Sequence, residues 1–515
     1  MFPWLSCLLF LPLLGAVLLA VIPSARTTAT RRFALVWGGV CFLLSVVVTV
    51  IFAFHAGNSG SSLTFQFNEH VPWVPSLGIG YHVGLDGVGA LLLVLNNFLF
   101  WVGMIVTPRQ GIANTKLLFA LMLAAEAATT GVIVSLDLVL FYFFWEGMLI
   151  PLYFLLGMWG GPQRGRATLK FVVYTVFGSL LMLVGILYVG LATSSQYHHL
   201  SFDLLYLAGH PLAPGASILS WIQISPLGFA FLAFALAFAI KAPLVPFHSW
   251  LPDSYEAAPV FILVFFAGIV GKLGLLGFLR FGDVIFSAPM HQFQWLLIGL
   301  AVLSILWGAL LALSETDIKR IVAYASISHI GFIGLGIFVL NTVGTMGAVL
   351  QMVNHGIIIA ALFLIVWYVE EKTGTRDRHA LGGLEKRMPW LYALFVIVTL
   401  GALGMPGTGS FAGEFAIMLG AFHLNVVPAV LAGLGVILAA WYMLRLHQGL
   451  MHDPVQPAAE QVADIAWTKV TLLGVFCAAI VLVGVDPSIV SNVALATSHQ
   501  YAAIAGSVVR LGGGI

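Results

Sequence analysis

Charge is scarce in this sequence. Asp, Glu, Lys and Arg make up 8% of its 515 residues, where a soluble globular chain carries about 25%. With 61% hydrophobic residues and a mean hydropathy of +1.05, no fold in water could hide the apolar surface, which excludes a water-soluble domain. Cysteine is equally sparse. Cys7, Cys41 and Cys477 stand in apolar runs with no C-x-x-C or Cys/His spacing, so disulfides, zinc and iron–sulfur ligation are not expected. Also missing are a phosphate-cradling G-x-x-x-x-G-K-[ST], a G-x-G-x-x-G after a strand and any haem ligation. The net charge of +1 points to no strongly acidic or basic partner. No basic n-region and no A-x-A site precede Pro23, so the run from Met1 to Ile22 reads as a spanning helix and not a cleaved leader.

What the sequence does have is long apolar runs. A window of about 19 residues gives about fourteen transmembrane segments, at 2–22, 33–54, 84–107, 115–134, 136–159, 167–193, 219–249, 256–281, 292–314, 320–340, 343–369, 388–422, 425–447 and 466–486. The fold class expected is an all-α polytopic membrane protein. Alternate loops carry all but four of the 21 basic residues; the four are Lys241, Lys272, Arg280 and Arg510. Because Lys and Arg are retained on the cytoplasmic side, both termini are expected to face the periplasm across a bacterial inner membrane. The connections 55–82, 194–217 and 487–515 fall on that side and read as structural.

Segments 7 and 12 are long and interrupted, by Lys241-Ala-Pro243-Leu-Val-Pro246 and by Gly404-Met-Pro406-Gly-Thr-Gly409. Proline removes a backbone donor and clashes with the preceding turn, so each should break near mid-membrane. The breaks lie five segments apart, the pattern of an inverted-repeat transporter core. The expected division is 1–114 with three peripheral segments, a first repeat over 115–281 (segments 4–8), a second over 292–447 (segments 9–13), and 448–515 with a cytoplasmic loop, segment 14 and a tail.

A charge at the bilayer centre costs about 2.5–3.5 kcal/mol even on insertion scales, so such groups face the interior and mark ion or proton routes. Here they recur: Glu126 in segment 4, Glu146 about 15 Å into segment 5 at helical rise, Lys241 at the first break, Lys272 in segment 8, His329 in segment 10, His355 in segment 11, and Glu414 after the second break. Burial brings the proton affinities of carboxyls and amines toward each other, histidine needs little tuning, and a facing Glu/Lys pair can act as a switch. Any one of these could be a satisfied packing residue; seven together, two beside helix breaks, favour a relay. Asp86, Asp137 and Asp317 read as helix caps, Trp4, Trp73 and Trp390 as interfacial anchors, and His82, His198, His199, His210 and His291 as solvated loop residues. The expected catalytic set is thus confined to the spans, with no cofactor or metal ligand in this chain.

The runs Asp137–Glu146 (DLVLFYFFWE), Lys241–Asp253 (KAPLVPFHSWLPD), Thr316–His329 (TDIKRIVAYASISH) and Gly404–Phe415 (GMPGTGSFAGEF) resemble the antiporter-like subunits of respiratory complex I, NADH:quinone oxidoreductase. The Glu414 frame is similar to the subunit M type, counterpart of mitochondrial NADH dehydrogenase subunit 4. That resemblance implies a proton-translocating, non-redox subunit in a membrane arm beside sister subunits L and N, with FMN, iron–sulfur clusters and quinone held by partner subunits. It implies Glu146 and Lys241 as an ion-pair switch, Lys272, His329 and His355 as central carriers, Glu414 as the terminal group toward the periplasm, and an accessory place for Glu126. The stretch after Pro259 is more apolar than the family pattern. The competing readings are a subunit of a multi-subunit sodium/proton antiporter, a membrane-bound hydrogenase arm, and a structural scaffold with incidental buried charges.

Overall fold

The computed structural model of the protein describes residues 2–23, 26–55, 64–216 and 224–512. Among them, twelve helices are long and apolar enough to cross a membrane. They are α1 (Trp4–Val21), α2 (Thr27–His55), α3 (Gly87–Val106), α4 (Thr115–Val134), α5 (Leu138–Trp159), α6 (Arg164–Tyr197), α8 (Val260–Ile285), α9 (Gln294–Ser314), α10 (Ile318–Phe338), α11 (Thr342–Thr373), α14 (Val426–Met451) and α15 (Trp467–Val485). Two shorter apolar helices, α7 (Pro226–Lys241) and α12 (Pro389–Ala402), stop at the interruptions read from the sequence. The chain then resumes as a short helix, Trp250–Ala257, and as α13 (Gly409–Leu424).

Segments 7 and 8 differ from the sequence reading in their limits. Helix α7 begins at Pro226, with the Ser225 hydroxyl accepting from Gly228 N–H and proline fixed at the first turn; the expected residues 219–223 lie outside those described. Helix α8 starts at Val260 and not at 256, because Pro259 ends the short helix before it. Within α8, two π-helical turns, Phe266–Val270 and Phe278–Gly282, flank Lys272, a local widening that apolar periodicity does not reveal.

The expected caps are present. Asp86, Asp137 and Asp317 accept main-chain N–H bonds at the starts of α3, α5 and α10. The connections are more ordered than expected. Residues 66–85 hold an antiparallel hairpin, β1 (Gln66–Val74) and β2 (Ile79–Leu85), and the connection after α6 holds a short helix, Leu204–Gly209. The tail read as a connection is α16 (Ser488–Gly512), whose buried residues include Val490, Ala494, Thr497, Ser498 and Tyr501, at helical spacing.

The start of α1 lies on the hairpin, where Glu69 Oε1 accepts from Leu5 N–H at 2.8 Å, and α16 lies on the start of α3, where Thr497 Oγ1 accepts from Gly87 N–H at 2.8 Å. The start of α1 and the middle of α16 therefore pack at the hairpin end of the bundle. On the other face the basic loops are neutralised by acids: Arg320 bonds Glu256 at 2.8 Å and Glu315 at 3.1 Å, Arg376 meets Asp317 at 3.1 Å, and Lys170 meets Asp253 at 2.8 Å.

The most apolar windows of α8, α10 and α11 are wholly buried, whereas those of α2 and α14 are one-third buried. Three helices thus form the buried centre, and they are the ones that carry Lys272, His329 and His355.

Candidate functional site

The two breaks put polar groups at the centre by different means. At the first, Pro243 and Pro246 cannot donate, and the freed Val245 N–H is taken by Ser304 Oγ of α9 at 2.8 Å. Lys241, the last residue of α7, is 1% exposed. Its Nζ has no hydrogen-bond partner among the described residues and sits 5.0 Å from the centroid of the Trp145 ring and 5.9 Å from that of Phe171, within cation–π range. At the second break Gly404 has φ +64°, and a Cβ there would meet Glu414 Oε2 at 2.7 Å. The conformation and the space both require glycine.

From the first break toward the second, four ionisable groups from four helices fall into a row. Lys272 of α8, 0% exposed, has its Nζ 2.8 Å from His355 Nδ1 of α11 and donates to Ala267 O at 3.3 Å; Ala267 lies in the first π turn. The His355 and His329 ring centroids are 5.8 Å apart. His329 Nδ1 of α10 is 3.0 Å from Glu414 Oε1 of α13, and the same oxygen accepts from Gln351 Nε2 at 2.9 Å. Tyr442 of α14 brings its hydroxyl to 3.5 Å from His329 Nε2.

Two members of the expected set stand apart. Glu146 is half-buried, and its Oε1 has no hydrogen-bond partner among the described residues. It lines an apolar groove of about 680 Å³ with Tyr142, Phe143, Ile150 and Tyr153. Glu146 and Lys241 make no direct ion pair; the residue next to Glu146, Trp145, supplies the ring against the ammonium. Glu126 is 0% exposed, and neither of its carboxylate oxygens has a hydrogen-bond partner among the described residues. Its main-chain carbonyl accepts from Asn96 Nδ2 of α3 at 3.5 Å.

Several residues escaped the sequence reading. Gln351 lies one helical turn before His355, so a polar pair at i, i+4 in an apolar run was a usable signal. Tyr442 had none. At the hairpin end of the bundle, Arg280 and Asp86 form an ion pair at 2.9 Å, each at most 1% exposed, and Tyr501 of α16 donates to Asp86 Oδ2 at 2.5 Å. Arg280 also donates to the Ile133 carbonyl at the end of α4. The reading of His82 as solvated is corrected: it is 5% exposed and bonds Asp203 and Asn68. His210 is likewise engaged, stacked on Tyr206 with Nδ1 3.0 Å from its carbonyl.

Residues 135–439 match the family described as NADH:quinone oxidoreductase/Mrp antiporter, TM. The chain is 34% identical to NADH-quinone oxidoreductase subunit M of Rickettsia felis over 498 residues, covering 95% of this chain and 97% of that one. The fold superposes with a TM-score of 0.83 and 30% identity on a chain of respiratory complex I from Thermus thermophilus, covering 98% of this chain and 100% of that one. A chain of the Mrp complex from Dietzia sp. DQ12-45-1b shares the fold at a TM-score of 0.81 and 20% identity, with 98% and 97% covered.

Proposed function

This chain belongs to the NADH:quinone oxidoreductase/Mrp antiporter transmembrane family and to its subunit M members, and on that premise we propose that it is a proton-translocating membrane-arm subunit of an NADH:quinone oxidoreductase. The observation that carries the reading is the buried row Lys272, His355, His329, Glu414, with contacts of 2.8 and 3.0 Å at its two ends. A proton moves between groups at hydrogen-bonding distance, and imidazole can accept on one nitrogen while releasing from the other. Groups this deep in lipid are costly to keep unless they carry function.

In this reading Lys241 feeds the row and Glu146 biases Lys241 from across the Trp145 ring. Lys272, His355 and His329 pass the proton on, and Glu414 is the terminal group toward the periplasm. Glu126 is an accessory buried acid. Electron transfer takes place elsewhere: FMN, iron–sulfur clusters and quinone are held by partner subunits, and sister subunits L and N flank this one. The chain sits in a bacterial inner membrane with both termini periplasmic, and segments 4–8 and 9–13 are the two inverted repeats.

Purification of the full chain from native membranes in mild detergent tests this. Flavin- and iron–sulfur-containing partners are the expected result, while a set of purely membrane partners would make it an antiporter subunit instead.

A further inference from the structure

Outside the membrane row, one cluster brings together side chains from three parts of the chain. His70 of β1 and His82 of β2 are directly opposite in the hairpin register, which places both side chains on one face of the ribbon; their ring centroids are 4.7 Å apart. Against that face stands Asp203, one of whose carboxylate oxygens bonds His82 Nδ1 while the other caps Tyr206 N–H at 2.9 Å. One donor atom from each of His70, His82 and Asp203 lies within 4.8 Å of the others. The site is graded from inside to outside: His82 is buried, Asp203 half-buried and His70 exposed.

We propose that His70, His82 and Asp203 form a binding site for a borderline divalent transition-metal ion, of which Zn²⁺ is the representative. Two imidazoles and one carboxylate supply three corners of a tetrahedron, leaving the fourth to water, and imidazole-rich sets select this class of ion over magnesium or calcium. The outer contact is already built. His82 Nε2 bonds Asn68 Oδ1, the arrangement that orients a ligating histidine through its second nitrogen and leaves Nδ1 for the ion. On binding, the proton shared between His82 Nδ1 and Asp203 leaves to water and both atoms bond the ion.

The ion would fasten the hairpin to the short helix Leu204–Gly209. Leu136 N–H donates to His82 O at 2.9 Å, Leu204 N–H to Leu136 O at 2.8 Å, and Gly80 N–H to Asp137 Oδ2 at 3.2 Å, so hairpin, short helix and the start of α5 already meet there. The site is independent of the proton row.

The test is Zn²⁺ titration of the full chain purified in detergent after EDTA treatment, reading bound zinc per chain and the thermal midpoint. One equivalent is expected in the wild type, with a midpoint that rises on saturation. His70→Ala, an exposed position that leaves the fold intact, should bind at least about tenfold more weakly and lose the midpoint shift. Asn68→Ala should weaken binding about 10- to 100-fold, and the exposed, distant His423→Ala should change nothing. Equal zinc binding in wild type and His70→Ala, or a loss of binding in His423→Ala of the same size, would overturn the site.

Discussion

Arg280 Nη2 lies 2.9 Å from Asp86 Oδ1, joining residues 194 positions apart at the end of α8 and the start of α3. Asp86 also caps α3 through Gly89 N–H at 2.6 Å and accepts from Tyr501 at 2.5 Å. One carboxylate thus ties the hairpin face, the central helix α8 and the C-terminal helix α16 together. A buried pair adds little net stability over an apolar substitute, but breaking it leaves a bare charge.

Asp86→Asn or Arg280→Met alone should therefore destabilise the chain by about 3–5 kcal/mol, and Tyr501→Phe by about 1.5–3 kcal/mol, the range for a hydrogen bond to a charged group. Thermal unfolding in detergent checks this. The double variant should lose less than the sum of the singles, and additivity would show that the pair is not coupled.

Glu414→Gln keeps a carbonyl oxygen for Gln351 Nε2 but removes the ionisable end of the row. Coupled proton translocation, followed with a pH-sensitive dye in reconstituted vesicles, should fall more than about tenfold while partner subunits still assemble. Gln351→Ala takes away one bond to a carboxylate that keeps its second partner, His329, so a smaller loss is expected. Full pumping by Glu414→Gln would remove Glu414 from the relay.

For Lys241 and Glu146 the geometry sets an order of effects. Lys241→Ala and Glu146→Ala should each abolish coupled pumping and depress quinone-linked NADH oxidation while assembly survives. Trp145→Leu removes the ring against the ammonium, worth about 2 kcal/mol or more for a desolvated cation–π contact, but neither charge, so it should slow pumping without abolishing it. Normal pumping in both charge variants would sink the switch.

At the hairpin, Asp203 carries a pH signature. Its carboxyl is depressed in the folded chain, so the unfolded chain takes up the proton first. The stabilisation is fully present above the ordinary Asp value of about 3.9 and is lost as pH falls through the lowered value. The groups facing it are His82, His70 and the Tyr206 N–H, with Asp137 adding like charge. Below about pH 4 the thermal midpoint should drop more steeply in the wild type than in Asp203→Asn; parallel curves would refute the linkage.

Some of this was legible along the chain. Prolines 243, 246 and 406 announced both breaks because a missing donor acts locally, and Asp137 and Asp317 announced caps because a cap needs only its next three residues. The π turns around Lys272 gave no sign, since apolar periodicity does not reveal a local widening of the helix. Helix α16 was passed over because its small buried residues are interleaved with polar ones, although their spacing is helical. Calling His82 solvated failed for a different reason: nothing near it in sequence shows that Asp203, 121 residues later, folds onto it.

The sequence by itself determined that this is a lipid-embedded helical protein and which groups would be expensive to bury, because hydropathy and the cost of charge in hydrocarbon are properties of single residues and short runs. Only the tertiary structure decided who partners whom. Lys272 with His355, His329 with Glu414, Arg280 with Asp86, and Lys241 with an aromatic ring in place of Glu146 are contacts between segments far apart in the chain. They are set by how helices pack against one another, which no local pattern encodes.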